Sequence, residues 1–472
     1  MTQVCNIPFI SIVTIKRKKI WAVITLGDFL PTRTATLLID SPSFTLTLRN
    51  LLIVSLLWTV LSTLSLPAQA LAEDDLLLIN GKFVDPQTRS ITSTNFYIHN
   101  GGIAKHNGEP AKTLDLHGKW IIPALIDLHV HCHGNPLPDH SWEKFSPHDT
   151  AKIMLYSGVC AYLELGYGDF PALFAARDGQ RAEPAKFDNE ADIYCAGGVF
   201  GRWNITAASA PSRIKAYVEK WKPDVIKLIY GRDTLDCQTL TAAIKECSQL
   251  GTKTVVHIGS WEHAQDAIKA HATAVTHFYD DEVIPKEVVK VWGNSKTVSI
   301  PTMAVQCDMA NFINHPALLK SPLLTEIESE KSLKTYAAPK HFSKTARETI
   351  KWQNEDRKNE FASFRKLSAA GVRFLAGSDT GNLGTFQGFS THRDIKLMQD
   401  AGGSSWSALA AGTTDAAQFL GRPSGTASGE TAELVVLDAD PIADIANTQK
   451  IFAVIHHGKL VDRNSLRAEI QD

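Results

Sequence analysis

His129 and His131 stand two residues apart in Leu125-Ile126-Asp127-Leu128-His129-Val130-His131. In an extended strand, positions i and i+2 point to one face, so two imidazoles at this spacing can reach one metal ion. Four further ionisable residues sit in or just after apolar runs. Lys227 lies in Val225–Tyr230, His257 near the end of Thr252–Ile258, His277 at the end of Ala274–His277, and Asp379 just after Val372–Ala376. Alone, an HxH pair also occurs in ordinary strands, and a lone strand-end histidine is more often a satisfied core residue. A lysine in an apolar strand is costly to bury, so it needs a partner or a reaction. The plain alternative for Lys227 is a snorkelling or salt-bridged side chain. Taken together, six such residues at the C-terminal ends of five of the eight runs point to a metal site. His133 is in phase with the pair but falls in the loop, and Cys132 faces the other way.

The runs that would position them are Ile121–Val130, Val159–Leu165, Asp192–Ala196, Val225–Tyr230, Thr252–Ile258, Ala274–His277, Val298–Met303 and Val372–Ala376. Helical stretches separate them. Gly158, Gly251 and Gly371 each end a helical stretch where a left-handed residue turns the chain into the next strand. Eight near-continuous apolar strands alternating with helices predict an α/β fold, a parallel (β/α)8 TIM-type barrel whose active face is the C-terminal one. The competing reading is an open doubly wound sheet. Residues 76–122 read as short strands with hairpin signals at Asn80-Gly81 and Asn100-Gly101, and β-like text returns after Gly421. The two ends therefore predict a small β-sandwich domain, residues 73–122 with 422–472, beside a barrel over 123–421. The long insertion 304–370 exceeds a plain barrel connection. It includes the charge-dense Thr325–Arg365, with Phe361, Phe364 and Leu367 on one helical face, and reads as a lid or an interface.

Composition bounds the class. The 472 residues carry 48 Lys+Arg against 50 Asp+Glu, a net charge of −2, which argues against a nucleic-acid partner. Seven cysteines without a CxxC pair exclude a disulfide scaffold. Residues 50–72 hold no charge, Leu51–Leu66 is almost wholly apolar, Arg49 precedes it and Ala70-Leu71-Ala72 follows. That is the pattern of a secretory signal; the alternative is an uncleaved anchor over residues 50–72. About 48 residues precede the apolar run, longer than a usual basic region, so the expected translation start lies downstream of residues 1–40. Removal of a 1–72 leader leaves 42 basic and 48 acidic residues, a mildly acidic exported enzyme, periplasmic or secreted.

The ordered set resembles the amidohydrolase superfamily, in particular its imidazolonepropionase and prolidase-like branch. The resemblance is carried by IIPALIDLHVH (121–131), DVIKLIYG (224–231), VVHIGSWEHAQDAIKAHATAVTHF (255–278), GVRFLAGSDTGN (371–382) and the tail GTASGETAELVVLDADPIADI (425–445). It spans roughly residues 76–465. Ala124 stands where the family usually has Gly, and GVCAYLELG (158–166) where an Arg-Asp pair is usual. The resemblance implies two divalent ions, zinc first among them, with manganese and iron as alternatives. His129, His131 and Asp379 would hold the more buried ion, and His257 and His277 the second. Lys227, N-carboxylated by CO2, would bridge them. Asp379 would also act as general acid/base toward an activated water.

Tyr230 and Arg232, just beyond Lys227, would polarise a carbonyl or hold a carboxylate; otherwise they are a loop tyrosine and a surface arginine. His392 would touch substrate or pack at a helix start. The expected function is hydrolysis of a C–N amide bond in a small peptide, N-acyl amino acid or cyclic amide. Lactone or phosphotriester hydrolysis at the same dinuclear site, or a catalytically silent barrel, are the alternatives. A mononuclear deaminase fits less well because it has no need of Lys227. The expected partners are a small-molecule or short-peptide substrate and a second copy of the chain, with membrane contact only through an uncleaved leader.

Overall fold

The computed structural model describes residues 75–108, 111–231 and 234–471, with the two-residue strands Ala22–Val23 and Thr36–Leu37. The apolar run of the expected leader and Arg232 lie outside the described residues. Among the described residues, no helix is long and apolar enough to cross a membrane.

The predicted runs become a barrel. Leu125–Val130, Val159–Glu164 and Asp192–Cys195 pair in parallel. Val225–Tyr230, Lys253–Ile258, Ala274–Thr276 and Val298–Ile300 form a second parallel ribbon. The short strand Val199–Phe200 pairs with the fourth strand, and Asp224 N donates to Cys195 O at 3.0 Å. The eighth run is not a regular strand, yet it closes the ring by hydrogen bonds to both neighbours. Leu375 N donates to Ser299 O at 2.8 Å, Leu128 N to Ala376 O at 2.9 Å, and Asp379 N to His129 O at 2.7 Å. Helices such as Pro147–Tyr156, Cys237–Gln249 and Trp261–Lys269 begin at Ser146, Asp236 and Ser260, whose side chains accept from the first-turn amides. Gly158, Gly251 and Gly371 have φ of +73°, +68° and +79°, the left-handed turns expected between helix and strand.

The two ends meet in β structure. Leu76–Asp85, Ser90–His99, Gly102–Ala104, Lys112–Asp115, Trp120–Pro123, Leu434–Leu437, Ile451–His456 and Lys459–Leu460 belong to one hydrogen-bonded sheet. The pairing is thus one continuous sheet where two facing sheets of a sandwich were expected. Leu78, Ile98, Leu116, Ile121, Leu434, Val436 and Ile455 fill its core.

Two local expectations change. Asn80-Gly81 is no hairpin: it lies inside a ten-residue strand as a bulge, with Asn80 at φ +57°. A Cβ on Gly81 would stand 2.5 Å from Ile121 Cδ1, so close packing accounts for the glycine. The run Ile121–Val130 also divides at Ala124, whose amide donates to Glu433 O, so one apolar stretch serves two sheets.

The insertion is helical: Met303–Asn314, Pro322–Ile327, Glu330–Tyr336 and Lys344–Ala369, with short 3-10 turns between. Its long helix packs on the Met303–Asn314 helix through Gln353, which binds Ala310 N and Val305 O. Phe364 stacks on Phe374 at 4.3 Å, tying the helix to the eighth run.

Candidate functional site

His129, His131, Lys227, His257, His277 and Asp379 converge at the C-terminal ends of the first, fourth, fifth, sixth and eighth runs. Asp379 is the hub. Its Oδ1 lies 3.1 Å from His131 Nε2 and 3.4 Å from His129 Nε2, and its Oδ2 is 3.7 Å from His277 Nδ1. Asn382 Nδ2 donates to the same Oδ1 at 2.8 Å. Lys227 Nζ is 3.2 Å from His129 Nε2, and the His257 and His277 rings stand 4.4 Å apart. His277 and Asp379 have φ of +71° and +58°. Non-glycine residues seldom hold this conformation, and it concentrates at functional sites.

Three of the histidines are held from behind. His129 Nδ1 lies 2.7 Å from Thr276 Oγ1, His277 Nδ1 2.8 Å from Thr302 Oγ1, and His131 Nδ1 3.2 Å from Gly166 O. For His129 and His131 an outer partner of this kind fixes ring and tautomer and leaves Nε2, which faces Asp379, for a metal. At His277, by contrast, Thr302 shares the Nδ1 that Asp379 approaches. Burial first, then Lys227 and the neighbouring imidazoles, hold His129 well below the usual histidine range. His257 is likewise lowered, to about 4. Both are therefore neutral, the form that ligates. Burial also lowers His131, but Asp379 and Glu164 outweigh it and raise this imidazole to about 9.

Lys227 is 2% exposed. Burial lowers its ammonium to about 7, against the pull of Asp379 and Glu164. Among the described residues no carboxylate stands within 4.0 Å of Nζ, so the salt-bridged alternative is absent. The donor set fits divalent ions: imidazole nitrogens, a carboxylate and a buried amine without a counter-ion face one interior space.

Other expected contacts are corrected. His392 is fully buried, with Nδ1 2.9 Å from Thr448 Oγ1 and Nε2 2.9 Å from Ser157 O. Both nitrogens are used in packing, so it is no substrate contact. Tyr230 points to the helix layer, where its phenol donates to Asp266 Oδ2 at 2.8 Å and its ring lies 4.5 Å from His263. His133 joins an aromatic rim with Trp142 and Tyr167. Cys132 is buried.

Sequence reasoning passed over Asp127 and Glu164, both 0% exposed. Asp127 accepts from His129 N, Ser378 N, Ser378 Oγ and Thr391 Oγ1. Each is an acid inside an apolar strand, the same signal that singled out Lys227. A second cluster, Asp192, His456 and His457, differs from the barrel site because Arg422 Nη1 already lies 3.0 Å from Asp192 Oδ2. Open clefts of about 540 and 460 Å3 are lined by insertion residues, the second also by Asp139, and by none of the six converging side chains. The donor geometry, not cleft size, marks the site.

Residues 120–461 match the amidohydrolase family. The chain belongs to that family. An adenine deaminase of Geobacillus kaustophilus is 38% identical over 88 residues, 18% of this chain and 14% of that enzyme. One of Clostridium botulinum is 30% identical over 130 residues, 24% of this chain and 22% of that enzyme. The matches thus span about a fifth or less of these relatives. A solved Xaa-Pro dipeptidase with methionine in its active site superposes with a TM-score of 0.64 at 18% identity, covering 82% of this chain and 99% of that one. Molinate hydrolase gives 0.62 at 18% identity, covering 84% and 96%. At such identity the likeness shows the fold.

Proposed function

We propose that this protein hydrolyses a C–N amide bond of a small peptide, N-acyl amino acid or cyclic amide at a dinuclear metal centre. The observation that carries the reading is the convergence of His129, His131, His277 and Lys227 around Asp379, with outer partners turning the imidazoles inward. In this reading His129, His131 and Asp379 hold one ion, His257 and His277 the other, and Lys227 lies between. Divalent ions bound there, zinc first among them, would acidify a water and polarise the scissile carbonyl.

The chain's own residues do the rest. Lys227, lowered to about 7, exposes a neutral amine at working pH. That amine can add to CO2, forming the N–C bond and releasing one proton. The product is an anionic two-oxygen ligand in place of a neutral amine. Asp379, steadied by Asn382, takes a proton from the attacking water and returns it to the leaving nitrogen. The exported state of a mature chain cut after residue 72 and the division of residues 73–472 into end-built β domain and barrel belong to the same proposal.

Deamination of a nitrogen heterocycle is the second reading, favoured by the local identity with adenine deaminases. Metal analysis and a substrate panel decide. About two ions per chain, lost in Lys227→Ala, with turnover of dipeptides, N-acyl amino acids or lactams, supports the amide reading. Ammonia release from adenine with Lys227→Ala still active supports the second. A chain without metal, unaffected by chelator in its melting temperature, overturns both.

A further inference from the structure

Glu164 ends the second barrel strand and is 0% exposed. Its Oε1 accepts from Gly166 N at 3.0 Å and lies 3.7 Å from His131 Nδ1. Gly166 O faces that same Nδ1 at 3.2 Å. Carboxylate and carbonyl thus form a clamp on the outer nitrogen of His131, the opposite side from Asp379. The clamp requires its glycine. Gly166 has φ +152°, and a Cβ there would lie 2.9 Å from Val199 Cγ1 and 3.5 Å from His131 Cε1.

The other oxygen, Oε2, is buried without a hydrogen-bond partner. Asp127, equally buried, accepts four hydrogen bonds. Glu164 accepts one, and no lysine or arginine stands within 4.0 Å of it among the described residues. A buried carboxylate so poorly satisfied is costly. Its compensation comes chiefly through His131, the nearest basic side chain, with Lys227 acting at longer range, and from the positive charge that His131 would bind.

We propose that Glu164 is a positioning residue for His131. Its carboxylate orients the imidazole through the Gly166 clamp and supplies the opposite charge that strengthens Nε2 as a metal ligand. The proposal rests on the metal-centre reading above. Outer carboxylates behind ligating histidines commonly change metal affinity 10–100-fold. The purely structural alternative is that Glu164 only ties down the Leu165–Gly166 turn.

Glu164→Gln separates the two, because the amide oxygen can still accept from Gly166 N while the charge is gone. The measurement is Co2+ affinity of the metal-free full chain by chelator competition, with the visible spectrum of the loaded protein. The melting temperature of the metal-free protein serves as control. We expect an unchanged metal-free melting temperature, affinity roughly 10–100-fold weaker and a shifted Co2+ band. Glu164→Asp, which keeps the charge, should recover part of the loss and carries the test if the glutamine variant does not fold. Parental affinity and spectrum in Glu164→Gln would overturn the proposal while leaving the metal centre standing. A parent chain that binds no divalent ion overturns the metal centre itself.

Discussion

Asp127 and Ser378 lock together the two segments that carry His129 and Asp379. Ser378 Oγ donates to Asp127 Oδ2 at 2.5 Å, and Ser378 N donates to Oδ1 at 2.9 Å. One residue separates Asp127 from His129, and Ser378 directly precedes Asp379. The relative position of these two side chains is therefore set by a carboxylate that accepts four hydrogen bonds. Asp127→Asn turns one acceptor into a donor facing donors. We expect a loss of about 2–3 kcal/mol in urea unfolding and weaker metal retention on dialysis. Full stability in the variant would show that the lock is dispensable.

His392 tests the separation of packing from chemistry. Its imidazole joins Ser157 and Thr448, not substrate. His392→Ala should cost about 2–4 kcal/mol through a cavity and two broken hydrogen bonds. Metal content and KM of the folded fraction should stay at parental values. A selective rise in KM without loss of stability would return His392 to the substrate site.

Tyr336 connects the insertion to the loop beyond Asp379. Its ring packs between Phe312 and Phe386, and its hydroxyl accepts from Gly384 N at 2.9 Å. Tyr336→Phe leaves that buried amide unpaired, worth about 1–2 kcal/mol. Hydrogen exchange should show faster opening of residues 380–388 with the barrel strands unchanged. Equal protection of that loop in both proteins would sever the link.

Asp280 makes stability depend on pH. Burial first, then Asp356 and Asp281, raise its carboxyl to about 7. Between about 4 and 7 the unfolded chain has released this proton while the folded chain retains it. Stability therefore falls as pH rises through that window, and this contribution is constant above it. Asp280→Asn should match the parent near pH 4 and exceed it at pH 8 by up to about 4 kcal/mol, at ~1.4 kcal/mol per pKa unit. Thermal melts at the two pH values check the sign. A larger gain at pH 4 would contradict it.

Much of the barrel was legible because burial on both faces writes each strand as an apolar run, and because Gly158, Gly251 and Gly371 mark the turns into strands. The candidate ligands stood out as polar interruptions of those runs. Asp127 and Glu164 carried the same signal but lie inside their runs, Asp127 two residues before the His129 pair. For Tyr230 and His392 the sequence left substrate contact and packing both open, because adjacency in sequence does not fix facing. Tyr230 follows Lys227 by three positions and so alternates to the opposite side of the strand. His392 sits on a helix whose buried contacts no local pattern specifies. Asn80-Gly81 has hairpin composition, yet the chain uses it where Ile121 crowds the backbone.

The division of Ile121–Val130 at Ala124 has a consequence for assembly. Trp120 pairs with Leu437, and Lys119 reaches Asp438, 319 positions along the chain. The strand that enters the barrel is thus anchored by residues made about 300 positions later. Contacts of such long range close late and slow folding. A nascent chain halted before residue 434 lacks the partner of its Trp120–Pro123 edge, so the first barrel strand's anchor stays incomplete until Leu434–Leu437 emerges.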